Sequence, residues 1–159
     1  MTLADRIAVL SGGRTMQYDT PEAIYNRPAA LFVAGFTGAP PMNLADCSLD
    51  GGSADLGGAP IVLPAALVAR ASGAAALKFG VRPENIALAP AGAGAQRVPA
   101  QVTLLEPLGA ETLVTLRIGR AGMVARAPAS FKAAPGTPID VFLSPQHLHL
   151  FDARTGAAL

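Results

Sequence analysis

The sequence predicts a mainly β fold: a small β-barrel or sandwich that follows a short β-hairpin and two short helices. Beyond residue 41, short apolar segments alternate with breaks made of Gly, Pro, Asp and Ser. The clearest alternation places Val98, Ala100 and Val102 on one face of a strand, as in a half-buried sheet. The 17 glycines and 14 prolines supply turns, yet stay below the content typical of disorder.

A β-hairpin is predicted at the start of the chain. The apolar run Arg6–Leu10 is followed by Gly12-Gly13 and then by the strand-like run Arg14–Tyr18. Two short strands joined by a Gly-Gly turn are the simplest interpretation.

Two helices are predicted next. Thr20 can accept hydrogen bonds from free backbone N–H groups, so we expect a helix over Pro21–Arg27 that ends before Pro28. Pro28 opens a second helix, Ala29–Phe36, which is apolar on nearly every side. Such a helix needs burial, so we expect it to pack on the barrel, lie in a dimer or swap between chains.

The segment Gly38-Ala39-Pro40-Pro41 is predicted as a linker, after which the β-rich part begins. Its candidate strands share β-forming residues and turn residues at their borders. They are Leu44–Leu49, Pro60–Leu63, Ala75–Val81, Ile86–Ala89, Val98–Glu106, Glu111–Ile118, Met123–Ala127, Ile139–Leu143 and Leu148–Phe151.

Composition excludes several classes of function. Twelve basic and 11 acidic residues give a net charge of +1 with no run of like charge, which disfavours nucleic-acid and anionic-membrane binding. Charged residues make up 14% of the chain, which suggests surface that a partner covers. The apolar stretch Ala59–Ala69 contains two prolines and is too short to span a bilayer. No secretory signal is visible and Cys47 is the single cysteine, so we expect a cytoplasmic protein.

A series of short motifs, in the same order and with similar spacing, resembles carbohydrate-type ABC importer ATPases. The similarity is greatest to the sn-glycerol-3-phosphate importer subunit, and maltose-type importers share most of the features. The motifs are Met1–Val9 (MTLADRIAV), Gln17, Thr20-Pro21, Ile24-Tyr25, Arg27-Pro28, Phe32–Ala34, Phe36, Gly38, Pro41–Asn43, Gly80–Glu84 (GVRPE), Glu106–Gly109 (EPLG), His149–Asp152 (HLFD) and Thr155-Gly156.

The resemblance implies a division of the chain. Residues 1–36 correspond to the last strands and helix of the nucleotide-binding domain, with everything before the switch histidine expected to be missing. Residues 37–159 correspond to an OB-like, TOBE-type regulatory domain that pairs two ATPase subunits. The implied partners are a second copy, permease subunits and, in some relatives, regulatory proteins. The resemblance also implies a location on the cytoplasmic face of the bacterial inner membrane, without insertion into it.

ATP hydrolysis by this chain is not expected. Leu10-Ser11-Gly12-Gly13-Arg14 nearly spells the signature motif of ABC ATPases, but Pro21 forbids the long helix that this motif opens, so a hairpin turn is predicted. Neither Lys78 nor Lys132 follows a glycine as in a P-loop, and no apolar strand ends in Asp-Glu. We therefore predict no catalytic, ATP-binding or metal residues and no cofactor, although the parent family uses ATP and Mg²⁺.

The first candidate site is the motif Arg82-Pro83-Glu84, where opposite charges flank a rigid proline. A solvated turn with a weak surface ion pair is one interpretation. Because the motif matches the family, we favour a structural or interface role without catalysis. The motif Glu106–Gly109 also matches the family and supplies two further candidate interface residues, Glu106 and Gly109. Glu106 and Glu111 flank the turn at this motif, and their carboxylates are expected to be solvated.

The motif His149-Leu150-Phe151-Asp152 supplies the remaining candidate interface residues, His149, Phe151 and Asp152. His147 and His149 would share one face of a strand, but a metal site needs at least a third ligand nearby. A structural strand is therefore favoured over a metal site.

Two alternatives remain open at this point. TOBE-type folds resemble molybdate-binding domains, so a small-ligand or oxyanion-binding barrel that captures anions with backbone N–H groups is the main alternative. An OB-type nucleic-acid binder would need a basic groove and exposed aromatic residues, and the few aromatic residues stand mostly at apolar positions.

Overall fold

The computed structural model describes residues 4–92 and 94–159. The predicted hairpin is present: strands β1 (Ile7–Ser11) and β2 (Arg14–Asp19) pair antiparallel. Both turn residues have the positive φ angles that a tight two-residue turn requires, 55° at Gly12 and 74° at Gly13. The segment that imitates the ABC signature is therefore a hairpin turn in this structure.

Two short helices follow the hairpin, α1 (Pro21–Asn26) and α2 (Leu31–Phe36). The predicted cap is correct, since Thr20 Oγ1 accepts from the Ala23 N–H at 3.2 Å. Helix α2 begins two residues later than predicted because Ala30 is extended and pairs with Ala157 instead. Val9, Ile24 and Val33 form a small apolar cluster between the hairpin and the helices.

Within the described residues, ten further strands make up the β-rich part. They are β3 (Asn43–Asp50), β4 (Ser53–Asp55), β5 (Pro60–Val62), β6 (Leu77–Val81), β7 (Ile86–Ala87), β8 (Gln96–Pro107), β9 (Glu111–Ile118), β10 (Ala121–Pro128), β11 (Pro138–Leu143) and β12 (Leu148–Asp152). One sheet has the order β10-β9-β8-β11-β7 and the other β12-β6-β3-β4-β5. The mainly β, barrel-like fold class is therefore confirmed.

The two sheets enclose one apolar core. Its members include Phe79 from the second sheet and Val102, Leu116 and Val141 from the first, each with no exposed surface. The buried positions alternate along β9 and β10, so one face of each strand points to the core. Burial of these side chains is the main source of stability of the barrel.

Three structural features differ from the sequence prediction. Helix α3 (Ala65–Ala71) starts after Pro64, where only a broken apolar stretch was recognised, and it buries Leu67 and Ala71. Strand β4 was not predicted because three residues are too few to show a periodic pattern. His147 and His149 do not share a strand: His147 ends a 3-10 turn over Pro145–His147, whereas His149 lies in β12.

The predicted linker is a tight turn between α2 and β3, where Gly38 and Pro41 form a β-bridge. Within the described residues, no helix combines the length and hydropathy needed to cross a membrane.

Candidate functional site: a buried arginine between the helices and the barrel

The guanidinium of Arg82 occupies the boundary between the two helices and the barrel. Arg82 directly follows β6, and only 1% of its surface is exposed. Its Nη1 donates to the carbonyl oxygens of Ala34 (3.2 Å) and Thr37. Its Nη2 donates to the carbonyl oxygen of Tyr25 (2.7 Å) and to Thr37 Oγ1 (3.0 Å). We call Arg82 and these three partners the Arg82 joint.

The Arg82 joint satisfies the carboxyl ends of both helices. The carbonyls in the last turn of a helix have no partner within it, and a cation there also complements the helix dipole. Tyr25 lies in the last turn of α1, Ala34 in the last turn of α2, and Thr37 directly follows α2. The last turn of neither helix carries a basic residue of its own, so Arg82 from the barrel supplies the charge for both.

Tyr25 holds the guanidinium from a second direction. The Arg82 Cζ lies 4.0 Å from the centre of the Tyr25 ring, a cation–π distance. The Tyr25 hydroxyl donates to Glu84 Oε1 at 2.5 Å, which connects the motif's exposed carboxylate to the same ring. Burial and the nearby Glu84 raise the pKa of Tyr25, while burial lowers the pKa of Arg82. Arginine remains charged despite such a shift, because its ordinary pKa is far above neutrality.

The turn after α2 is shaped to bring the chain close to the guanidinium. Gly38 has a φ of 103°, which only glycine adopts readily. A Cβ at this position would lie 2.9 Å from the carbonyl oxygen of Pro40 and 3.3 Å from Arg82 Nη1. A glycine is therefore required here for both conformation and space.

Phe151 and His149 lie beside the same end of β6, at Gly80. A Cβ on Gly80 would approach Met42 Sδ to 2.8 Å and Phe151 to 2.9 Å, so glycine permits this packing. Phe151 is fully buried, with Met42 and Ala34. The His149 ring stacks on that of Phe151 with centroids 6.3 Å apart. Burial, and then the charge of Arg82, lower the pKa of His149 to about 4, so this histidine is neutral near pH 7.

The structure therefore brings five of the predicted residues to one region: Arg82, Pro83, Glu84, His149 and Phe151. Pro83 is buried and begins the 3-10 turn Pro83–Asn85. Asp152 follows them at the end of β12, where its Oδ1 accepts from the N–H groups of Arg154 and Thr155, both at 2.8 Å.

Glu106 and Gly109 lie elsewhere, at the β8–β9 hairpin. Glu106 is exposed, and Gly109 provides a positive φ of 90° in the turn. Leu104 and Leu108 on the same hairpin are also exposed. Their interface role remains a prediction.

Tyr25 and Thr37 belong to the site but were not among the candidate residues. Tyr25 is part of the family resemblance but was assigned no role in this site, and it is half-buried against the guanidinium. The other partners of Arg82 are backbone carbonyls, which no residue pattern could reveal. Among the described residues, no group of three or more His, Cys, Asp or Glu side chains could hold a metal ion.

Two family models match the part of the chain that forms the barrel. A MalK OB fold domain matches residues 38–86, and a TOBE domain matches residues 79–151. These residues therefore comprise a MalK OB fold domain and a TOBE domain. Arg82 lies in residues 79–86, which both family models match, so the Arg82 joint lies where the two matched ranges overlap.

Nearly the whole chain is similar to ATP-binding proteins of ABC importers. It is 38% identical to the sulfoquinovosyl glycerol transport ATP-binding protein of Agrobacterium fabrum, over 98% of this chain and 44% of that protein. It is 41% identical to the sn-glycerol-3-phosphate import ATP-binding protein of Chromobacterium violaceum, over 98% and 42%. It is 38% identical to the xylose/arabinose import ATP-binding protein of Haloferax volcanii, over 100% and 43%. The chain thus spans less than half the length of these relatives.

Proposed function

We propose that this chain is the regulatory and dimerising region of an ABC importer ATP-binding protein, attached to the last elements of the nucleotide-binding domain. Residues 1–36 would be the nucleotide-binding remnant and residues 37–159 the regulatory domain. The observation that carries the proposal is the Arg82 joint, in which one buried barrel arginine holds the carboxyl ends of both helices of the remnant. Because this attachment is rigid, a movement of the barrel would also move the two helices of the nucleotide-binding remnant.

The proposed role is scaffolding without chemistry. The hairpin turn at Gly12-Gly13 supports this, because its N–H groups do not open a helix and so lack the dipole that an ABC signature presents to phosphate. The sequence contains no P-loop pattern either. We therefore propose that the 159-residue chain binds no ATP or Mg²⁺ and hydrolyses no ATP, although its longer relatives are named as ATP-binding proteins.

A second copy is the proposed principal partner. Contact between two barrels would hold two ATPase domains near each other and raise their effective concentration, so that ATP closes them more readily. The low charge content and the exposed Leu104 and Leu108 of the β8–β9 hairpin support a surface that a partner covers. By analogy with the relatives, the permease subunits would be further partners, on the cytoplasmic face of the membrane.

Light scattering and an ATPase assay on the 159-residue chain test this proposal. We expect a dimer whose fraction rises with protein concentration, and no ATP turnover above buffer. A clean monomer at millimolar concentration would overturn the dimer, and measurable turnover would overturn the absence of catalysis.

Calorimetry with molybdate, phosphate and glycerol-3-phosphate separates this function from the oxyanion-binding alternative. We expect no heat of binding for any of the three ligands. Binding at micromolar ligand would favour the alternative instead.

A further inference from the structure

A segment near the end of the chain, residues 156–159, lies between α2 and the barrel, and we call it the strap. Its contacts with the helix side are two backbone hydrogen bonds. The Leu31 N–H donates to the carbonyl oxygen of Gly156 at 2.8 Å, and the Ala158 N–H donates to that of Ala29 at 3.0 Å. The strap thus holds the amino end of α2, whereas Arg82 holds its carboxyl end.

The other side of the strap pairs with the edge of the second sheet. The Asp152 N–H donates to the carbonyl oxygen of Ala157, and the Leu159 N–H donates to that of Leu150, both at 2.9 Å. The strap therefore acts as a short strand that joins the chain before α2 to β12. It connects the same two parts of the molecule as the Arg82 joint, at a different place.

A defined turn returns the chain from β12 into the strap. The two hydrogen bonds that Asp152 Oδ1 accepts from Arg154 and Thr155 order this turn. They also lower the pKa of the Asp152 carboxyl group. Gly156 closes the turn with a φ of 75° and donates its N–H to the carbonyl oxygen of Asp152 at 2.8 Å.

The two attachments differ in how firmly they are buried. Arg82 is 1% exposed and makes four hydrogen bonds, so opening the joint would leave a buried charge unpaired. Ala157 and Ala158 are exposed, and Leu159 is the strap residue that packs against the main core. Segments with little buried apolar surface and exposed backbone hydrogen bonds open at low free energy. The strap is therefore the weaker attachment.

We propose that the strap is a releasable fastening of α2 to the barrel. When it opens, the amino end of α2 is free while its carboxyl end stays on Arg82, so the helix pair pivots about the arginine. The inference rests on the proposed regulatory function, and the strap is the contact that would move in that function. A change at the β12 edge of the barrel would reach the ATPase-side helices by this route.

Hydrogen exchange measured by NMR on the wild-type chain and on a variant that ends at residue 155 tests the strap. We expect the Leu31 amide to exchange at least about 10-fold faster in the shortened chain, because its acceptor is gone. The Thr37 amide and the amides of β8 and β9 should keep their protection. An unchanged Leu31 rate overturns the proposal, and so does a uniform acceleration across the barrel.

Two glycine substitutions provide a matched comparison in the 159-residue chain. Gly156 and Gly136 both have positive φ, 75° and 90°, and a Cβ at either position would meet open space. Gly156→Ala should accelerate exchange at Leu31, whereas Gly136→Ala, in the loop before β11, should not. Equal rates at Leu31 in the two variants overturn the proposal. Oligomeric state and ATP turnover are measured separately, so a monomeric wild type would overturn the dimer and leave the exchange result standing.

Discussion

Arg82 is unusual because its buried charge is met by dipoles rather than by a carboxylate. Within the described residues, its partners are three carbonyl oxygens, one hydroxyl and the face of Tyr25. A planar fork with several fixed donors suits this arrangement, whereas an ammonium group provides one point of charge. The role of Arg82 thus depends on its geometry as well as on its charge.

Replacing Arg82 therefore gives the first prediction. Arg82→Met should lower the free energy of unfolding by about 3 kcal/mol, because it leaves buried carbonyls without donors. Arg82→Lys should recover only part of this loss, since lysine cannot reach both helix ends at once. Urea unfolding measures both effects.

The exposed Arg14 provides the control for this experiment. Arg14→Met should change stability by less than about 0.5 kcal/mol. Full recovery in Arg82→Lys would show that charge alone matters, which contradicts the geometric interpretation.

His149 gives a prediction for pH. Its folded pKa of about 4 lies below the ordinary value of 6.5, so the unfolded chain binds more protons between these values. The contribution of His149 to stability should therefore be constant above pH 6.5, fall as the pH is lowered toward 4, and level off below that. With allowance for the partial exposure of the ring, His149 should account for a loss of about 2 kcal/mol.

The two histidines allow this effect to be isolated by measuring urea midpoints across the pH range. His149→Gln should flatten the decline between pH 6.5 and 4. His147→Gln, with an exposed side chain in the wild type, should retain it. If both variants follow the wild-type curve, His149 is not the group responsible.

At the scale of elements, two side-chain amides join the sheets where strands do not pair. The Asn43 amide donates to the carbonyl oxygen of Val124 at 2.8 Å and accepts from its N–H at 2.7 Å, which joins β3 to the edge strand β10. Gln96 makes the same pair of bonds with Val62, at 2.9 and 2.8 Å, and joins β8 to β5. Each amide imitates the hydrogen bonding of a neighbouring strand and covers part of an exposed edge.

Substitutions at Asn43 test this role. Asn43→Asp keeps the acceptor for the Val124 N–H but cannot donate to its carbonyl, so we expect a loss of about 1 kcal/mol. Asn43→Ala should cost about 2 kcal/mol, because both bonds disappear. Gln96→Ala is the comparison, with a smaller expected loss because those bonds are more exposed to water. Equal stability of wild type and Asn43→Ala in urea would contradict the role.

These elements also show what sequence reasoning could reach. The hairpins were predictable because Gly12-Gly13 and Gly109 mark turns between alternating strands, and Thr20-Pro21 marks a helix start. Helix α3 was not predictable, since its alanines show no clear helical periodicity and the prolines around it suggested a break. The Arg82 motif was recognised, but its partners were not, because backbone carbonyls have no residue signature. The amides of Asn43 and Gln96 were hidden for a similar reason, as they contact backbone far away in the chain.

At the scale of the whole molecule, a small apolar cluster on the helix side and the large barrel core are connected by the Arg82 joint, the strap and a third cluster of Ala34, Met42 and Phe151. The cluster of Val9, Ile24 and Val33 is small, whereas the barrel core contains 24 buried residues among those that the structure describes. A cluster of three buried side chains provides little stability by itself. The helices and hairpin therefore depend on their attachments to the barrel to unfold together with it.

The chain carries natural probes for this dependence. It has two tyrosines, Tyr18 and Tyr25, both in the hairpin and helix part, and no tryptophan. Tyrosine fluorescence thus reports that part, while far-UV circular dichroism reports mainly the barrel strands.

In the wild type we expect the two urea transitions to coincide, as for one cooperative unit. In Arg82→Met the fluorescence transition should occur at lower urea than the dichroism transition, because the joint is lost while the barrel core remains. Arg14→Met should keep both transitions together. Coincident transitions in Arg82→Met, displaced by the same amount, would mean that Arg82 stabilises the barrel and does not couple the two parts.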